Sequence, residues 1–209
     1  MKKAFFFISL LFFGIVNAQT PYEDSMAIGL EKYKAAGTAD DMLAAAAFFE
    51  SLGDTTKDKW LPYYYAAHAT LLASKMTSKT SKDKVAERVN ELIAKADAIE
   101  ADISELFCLK QMVAVMQIFV NPMSRFQTYG EIAAEAFANA KTTDPTNPRP
   151  YLIEGMYLMN MPEGIGGGKV PAKKLLQKAI VLFDSFEPAS PLHPNWGKEQ
   201  AEKALAACQ

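Results

Sequence analysis

Apolar positions recur every three or four residues along nearly the whole chain, separated by Ala, Lys and Glu. This spacing places apolar side chains on one face of a helix, and no run of alternating β-branched residues predicts a strand. Gly, Pro and polar breaks divide the pattern into about nine helical segments. The chain is therefore predicted to be all-α, with short connections between the helices.

The breaks also predict where each helix lies. The first five predicted helices span about 22–36, about 38–53 with Thr38 as N-cap, about 59–74, a long helix from the connector 74–84 to about 101, and about 103–120, which stops before Asn121-Pro122. A sixth runs to about 141, and the last three span about 149–160, about 171–186 and about 196–207. In "DPTNP", Asn147 is a good N-cap, and Pro148 suits a first helical position.

Helices with short connectors favour hairpins packed side by side, and such hairpins often recur as internal repeats. The stretch "AEAFANAKTTDPTNPRPYLIEGMYL" pairs a helix rich in small residues with a second helix, and "AKKLLQKAIVLF" repeats its first half. Small residues at fixed intervals let two helices approach closely, while bulky ones fill the gap to the next hairpin.

This pattern resembles the tetratricopeptide repeat (TPR). The matching positions are Ala133, Phe137, Ala140, Pro145, Tyr151, Gly155, Ala172, Leu176 and Ala179, and more loosely Tyr63 and Ala67. The resemblance covers about residues 130–180 well and 22–128 in degenerate form. It implies a TPR-like α-solenoid of about four hairpins plus a C-terminal capping helix. The chain is also similar to exported bacterial repeat proteins of no established activity, through the loop Pro162–Lys169 and the segment Pro194–Gly197.

The first 18 residues have the pattern of a secretory signal peptide. Lys2 and Lys3 precede the apolar run "AFFFISLLFFGIV", and Val16-Asn17-Ala18 offers small residues for cleavage. No later segment is apolar over the length that a membrane span requires. We therefore predict a leader over 1–18 and one helical domain over 19–209. The mature protein is expected to be soluble, in the periplasm or secreted.

The loop "GIGGGK" (residues 164–169) raises the question of phosphate binding. A Walker loop needs a glycine where this chain has Glu163 and a hydroxyl where it has Val170. A dinucleotide fingerprint would need its third glycine at Lys169, and both motifs follow a strand. The glycines are therefore predicted to form a long turn between two helices.

Candidate residues for metal or catalytic chemistry are few. The only histidines, His68 and His193, lie far apart, and no His, Cys or carboxylate cluster has ligand spacing. Neither histidine lies in a recognisable triad. Cys108 and Cys208 could form one disulfide, or Cys108 could be a buried free thiol. We therefore predict neither an enzyme, nor a metal site, nor a cofactor.

With 22 basic and 24 acidic residues, the chain shows no basic face for nucleic acid. The repeat alignment instead predicts a methionine-rich concave face. Its expected members are Tyr64, His68, Met112, Met116, Arg149, Leu152, Met156 and Met159. Methionines make an adaptable surface, although they could equally fill the core between hairpins.

Two functions fit this pattern. The leading hypothesis is a non-enzymatic exported scaffold or adaptor that binds an unknown protein or peptide on the concave face. The alternative is a periplasmic carrier whose pocket, lined by Tyr64, His68 and the methionines, holds a small molecule or a cell-envelope fragment. The sequence favours no particular oligomeric state.

Overall fold

The computed structural model describes residues 21–209, and over that range it confirms an all-α fold without strands. The helices are α1 (Pro21–Ala35), α2 (Ala39–Thr56), α3 (Leu61–Met76), α4 (Lys82–Asp97), α5 (Ser104–Val120), α6 (Pro122–Thr143), α7 (Arg149–Met159), α8 (Lys169–Ser185) and α9 (Lys198–Ala207), with a 3-10 turn at Glu163–Ile165. The leader predicted over 1–18 lies outside the described residues. None of the helices between residues 21 and 209 combines the length and apolar character needed to cross a membrane.

One predicted helix boundary is wrong. Helix α4 ends at Asp97 instead of running to Ala101, and with 16 residues it is not unusually long. After its last turn the N–H of Ile99 donates to the carbonyl of Ala96, three residues back, which tightens the backbone. Asp102 then takes a left-handed conformation with φ of 57°, which no helix can include. The connection to α5 is therefore a turn.

Local capping signals confirm two predicted helix starts. The Thr38 hydroxyl accepts a hydrogen bond from the N–H of Asp41 at 3.1 Å, and the Asp41 carboxylate accepts one from the N–H of Thr38 at 3.0 Å. This reciprocal pair is a capping box. At α7 the side-chain oxygen of Asn147 accepts from the N–H of Arg149 at 3.0 Å. Both caps satisfy N–H groups that have no partner within the helix.

Helices α3, α5 and α7 form a row. Helix α3 contacts α5, α5 contacts α7 and α7 contacts α9, while every helix also packs against the next one along the chain, from α1 to α8. Helices α2, α4, α6 and α8 therefore lie against the members of this row. The row carries the side chains that form the pocket described below.

Small residues allow the close packing of α7 on α8. A Cβ added to Gly155 would lie 2.8 Å from the Cγ atom of Leu176, too close for any side chain. Ala172 and Ala179 face the same contact and are fully buried. The two helix backbones can therefore approach only because residue 155 is glycine.

The turn predicted for the glycine loop is confirmed. The N–H groups of Gly167 and Gly168 donate to the carbonyls of Pro162 and Leu158, at 3.1 and 2.8 Å. Gly166 and Gly168 have φ of 91° and 95°, conformations that favour glycine. Because these N–H groups already have backbone acceptors, the loop holds no ring of free donors for a phosphate.

The chain between α8 and α9, which we call the return segment (residues 186–197), folds back onto α3 and α7. The Tyr65 hydroxyl donates to the carbonyl of Leu192 at 2.9 Å, and the Arg149 guanidinium donates to that of Pro194 at 2.5 Å. The return segment joins the core around α3 to the core around α7–α9. Both cysteines are buried free thiols, so the described chain holds no disulfide.

Candidate functional site

A pocket with a volume of about 600 Å³ lies between α3, α5 and α7. Its wall is completed by Tyr33 from α1, Lys82 from α4, and Trp196 of the return segment. The other lining residues are His68, Leu71, Leu72, Ser74, Lys75, Met112, Val115, Met116, Phe119, Val120, Leu152, Ile153, Met156, Tyr157, Asn160 and Gln200. Most of them are aliphatic, aromatic or thioether side chains, which is typical of a site for an apolar small molecule.

The deep end of the pocket is formed around His68, which is 2% exposed. Its Nδ1 atom lies 2.9 Å from the hydroxyl of Tyr33. The imidazole stacks on the Trp196 indole, with ring centroids 4.6 Å apart and planes at 25°. Burial, together with the positive charges of Lys75 and Arg149, lowers the pKa of His68 to about 3. The imidazole is therefore neutral at physiological pH, and the deep end carries no charge.

The opposite end of the pocket is open to solvent. Phe119, Val120 and Met156 are 50, 41 and 38% exposed although they are apolar and line the cavity. Phe119 also meets Tyr157 edge to face, with centroids 6.3 Å apart. Exposed apolar side chains grouped around a cavity indicate a ligand entrance. We call this end the mouth.

The lining is basic as well as apolar. Of the described residues that line the pocket, none is acidic, whereas Lys75 and Lys82 contribute two ammonium groups. Desolvation, and secondly the nearby charge of Lys82, lower the pKa of Lys75. Burial also raises the pKa values of Tyr33 and Tyr157, so their phenols stay protonated. The only charges in the pocket lining at neutral pH are positive.

Behind the pocket wall lies a buried polar network. The guanidinium of Arg149, with a side chain 0% exposed, pairs with the Glu105 carboxylate at 2.8 Å. Tyr64 donates to the same carboxylate at 3.2 Å and accepts from the Trp196 indole N–H at 2.8 Å. Arg149 also lies 5.4 Å from the Trp196 ring. This network fixes the indole that forms the deep end of the pocket.

The structure places five of the eight residues expected on the concave face around the pocket. They are His68, Met112, Met116, Leu152 and Met156. Tyr64 and Arg149 are fully buried behind Trp196 and do not line the cavity. Met159 packs instead against the core of α7–α9. The return segment covers the inner side of α3 and α7, which is why Tyr64 and Arg149 are not at a surface.

On α7 the expected face is displaced sideways. The residues of α7 that line the pocket are Leu152, Ile153, Met156, Tyr157 and Asn160. The lining face is therefore rotated about the helix axis, away from Met159 and toward Ile153 and Tyr157. Leu152 touches the α7–α9 core as well, and Met159, seven residues on, lies on that same side. An alignment displaced by one residue accounts for the difference.

Sequence reasoning missed several lining residues that extend the stripes it identified. Leu71, Leu72 and Lys75 follow His68 by three, four and seven residues, and Phe119 follows Met116 by three. Extending the stripe from His68 by two turns and the stripe from Met116 by one turn finds them. Trp196 and Tyr33 have no such signal, because both reach the pocket from elements distant in sequence.

The arrangement offers little for catalysis or metal binding by carboxylates. No group of three or more His, Cys, Asp or Glu side chains within residues 21–209 could hold a metal ion. His193 bonds to Ser190 with its Nδ1 atom at 2.8 Å, away from the pocket. What the pocket provides is a shaped apolar cavity with one neutral imidazole, three thioethers and a cationic edge.

Comparison with known proteins identifies a solved structure of the same architecture. No protein-family model matches the chain, and no curated protein matches it. The structure of the HusA haemophore from Porphyromonas gingivalis is similar, with a TM-score of 0.81 and 27% sequence identity. The similarity covers 91% of this chain and 94% of the haemophore. It therefore extends over most of the chain.

This similarity corrects the leading functional hypothesis. The similar structure is a haemophore, a carrier of haem, so the expectation of a protein or peptide partner on an open concave face is wrong. The return segment gives the physical reason, since it occupies part of that face and leaves a closed-ended pocket instead of a groove. The alternative hypothesis, a small-molecule carrier, agrees with both the comparison and the pocket.

Proposed function

We propose that this protein binds and carries haem or a related tetrapyrrole in the pocket between α3, α5 and α7. One observation carries the proposal. An apolar pocket of about 600 Å³, closed by stacked aromatic rings, lies within a fold shared over 91% of the chain with a haemophore. Its volume falls in the range of roughly 300–1,000 Å³ that is usual for small-molecule sites.

The pocket chemistry suits a flat, apolar and polarisable ligand. Trp196, Phe119 and Tyr157 offer ring faces and edges, which favour contact with another aromatic plane. Met112, Met116 and Met156 have flexible, polarisable side chains that adapt to an irregular outline. Burial of the ligand's apolar area supplies the driving force for binding, at about 25 cal/mol per Å².

Several lining residues can also ligate an iron ion. Imidazole nitrogen and thioether sulfur are both haem-iron ligands, and the first must be neutral to bind metal. His68 is neutral because of its low pKa. In the tautomer whose Nδ1–H donates to the Tyr33 hydroxyl oxygen, Nε2 has the free lone pair that a metal needs. The phenol of Tyr33 would then orient the imidazole from behind.

The second class of cargo suggested by the sequence, a cell-envelope fragment, is favoured less. Sugars and peptides need many hydrogen-bonding partners, and an unpaired polar group costs about 1–3 kcal/mol on burial. In the described lining, Ser74, Asn160 and Gln200 are the only hydroxyl or amide side chains apart from the tyrosines. The lining therefore discriminates against polar cargo.

We further propose that the chain is an exported single-domain carrier whose hairpins derive from TPR-like repeats. The leader pattern over residues 1–18 supports export, and the packing of α1 to α9 supports one domain over 19–209. The glycine and alanine contacts between α7 and α8 support the repeat origin.

A titration with haem tests the proposed function. We expect a saturable shift of the Soret band at one haem per protein for the purified chain lacking residues 1–18. Met156→Glu places a charge in the apolar mouth and should weaken binding by roughly tenfold or more, about 1.4 kcal/mol. Met123→Glu is the matched control, because Met123 is 97% exposed and does not line the pocket.

The proposal fails if haem produces no saturable shift at micromolar protein. It also fails if Met156→Glu and Met123→Glu weaken binding equally, since the haem would then lie outside the pocket.

A further inference from the structure

Some lysines among residues 21–209 have an acidic partner, and the two at the pocket edge do not. Lys95, Lys110, Lys198 and Lys203 each form an ion pair with a carboxylate. Lys75 forms no hydrogen bond or ion pair within residues 21–209, although it lines the cavity. Lys82 lines it as well, and neither has a carboxylate partner there.

The two ammonium groups are held near each other by the backbone. Lys75 lies in the last turn of α3, and Lys82 is the first residue of α4. The Lys82 amine donates to the carbonyl of Ser74, the residue before Lys75, which anchors it beside the end of α3. Desolvation by burial, and secondly the charge of Lys82, lower the pKa of Lys75. Two like charges kept together without a counter-ion are unfavourable unless an anion joins them.

The position of the pair relative to the pocket is also informative. Lys75 follows His68 by two helical turns, so both lie on the face of α3 that lines the pocket. This face begins at the neutral deep end and ends at a charged edge. Lys75 is exposed, whereas His68 is 2% exposed. A ligand lying along this face would have an apolar body against His68 and a solvent-facing edge at the lysines.

We infer that Lys75 and Lys82 bind a carboxylate at the edge of an otherwise apolar ligand and thereby select acidic tetrapyrroles and set their orientation. This inference rests on the proposed function and specifies the chemistry of its ligand. Ammonium groups form short, charge-assisted hydrogen bonds to carboxylates, and an apolar surrounding strengthens them. Because both lysines lie at one edge, the ligand enters with its acidic edge outermost.

The decisive experiment compares protoporphyrin IX with its dimethyl ester, which has the same ring and no charge. Binding is followed by quenching of tryptophan fluorescence, in wild type and in the Lys75→Ala/Lys82→Ala double variant. We expect wild type to prefer the free acid by roughly ten- to hundredfold, the size expected for charge-assisted hydrogen bonds. The double variant should lose this preference while its affinity for the ester stays within about twofold of wild type.

Lys79→Ala is the matched control, because Lys79 lies in the connector between Lys75 and Lys82, is exposed and does not line the pocket. It should keep the wild-type preference. Thermal melts of all variants establish that they fold.

The remaining outcomes separate the inference from the proposed function. Equal binding of acid and ester by wild type overturns the inference and leaves the tetrapyrrole proposal standing. A preference that survives in the double variant overturns the assignment to these lysines. Binding of neither compound by wild type overturns the proposed function, and the inference with it.

Discussion

The indole of Trp196 and the imidazole of His68 lie face to face, 4.6 Å apart, although 128 positions separate them in the chain. The contact joins the return segment to α3 and forms the deep end of the pocket. The indole N–H is at the same time bonded to the Tyr64 hydroxyl at 2.8 Å. One residue therefore connects the apolar cavity to the buried polar network behind it.

Replacement of Trp196 should damage the pocket more than the fold. Trp196→Ala removes one wall of the deep end and leaves the Tyr64 hydroxyl without its donor, at a cost of up to about 3 kcal/mol in unfolding free energy. Haem affinity should fall at least tenfold in a Soret titration, since a stacking face is lost. Trp196→Phe keeps an aromatic face, so its haem affinity should fall less. Unchanged affinity in Trp196→Ala would contradict the placement of the ligand at the deep end.

His68 should make the protein less stable in mild acid. Its pKa is about 3 when folded against 6.5 for an exposed histidine, so between these values the unfolded chain binds one proton more. Stability is therefore full above pH 6.5 and falls by up to about 1.4 kcal/mol per pH unit below it. His68→Gln should show a shallower decline of Tm between pH 6.5 and 4.5. The matched control, His193→Gln, alters a half-buried histidine outside the pocket and should resemble wild type more closely.

The buried ion pair between Arg149 and Glu105 should be far more sensitive than a surface pair. Glu105→Ala leaves a guanidinium with a side chain 0% exposed and no counter-charge, which costs about 3–5 kcal/mol. For a domain of this size that loss lowers Tm by roughly 6–20 °C in a thermal melt. Asp83→Ala breaks the partly exposed pair with Arg125, at 2.5 Å, and should cost less than about 1 kcal/mol. A similar loss in both variants would mean that the Arg149 site admits water.

Replacing each of two helical glycines by alanine should change the stability of the protein in opposite directions. Gly155→Ala places a Cβ 2.8 Å from Leu176 and should destabilise the protein by about 1–3 kcal/mol through overpacking. Gly130→Ala meets nothing within 4 Å on α6 and should stabilise the protein by about 0.5–1 kcal/mol through helix propensity. Urea unfolding of the two variants measures both signs. A stabilised Gly155→Ala would show that α7 and α8 can separate without cost.

The helices could be predicted from sequence because their signals are local. Apart from the end of α4, the predicted bounds lie within three residues of the observed ones, since caps such as Thr38 depend on neighbours only. The ion pair between Arg125 and Asp83, by contrast, joins residues 42 positions apart and could be found only in the folded structure. Helical periodicity reveals which face is apolar but not which other element covers it.

The candidate site was predictable only in part for the same reason. Stripes on α3, α5 and α7 led to His68 and to Met112, Met116 and Met156, all of which line the pocket. Tyr64 and Arg149 lie on those helices too, yet the return segment buries them. Nothing in the prolines of that segment indicates that it crosses back over 127 positions to meet Tyr65. The change from an open face to a closed-ended pocket depends on this one non-local contact.

The pocket is completed late in synthesis, because the return segment follows α3, α5 and α7 in the chain. Helices α3, α5 and α7 are synthesised well before residue 196, so the nascent chain has an incomplete pocket that lacks Trp196. A chain that ends before this segment would lack Trp196 and with it one wall of the deep end of the pocket.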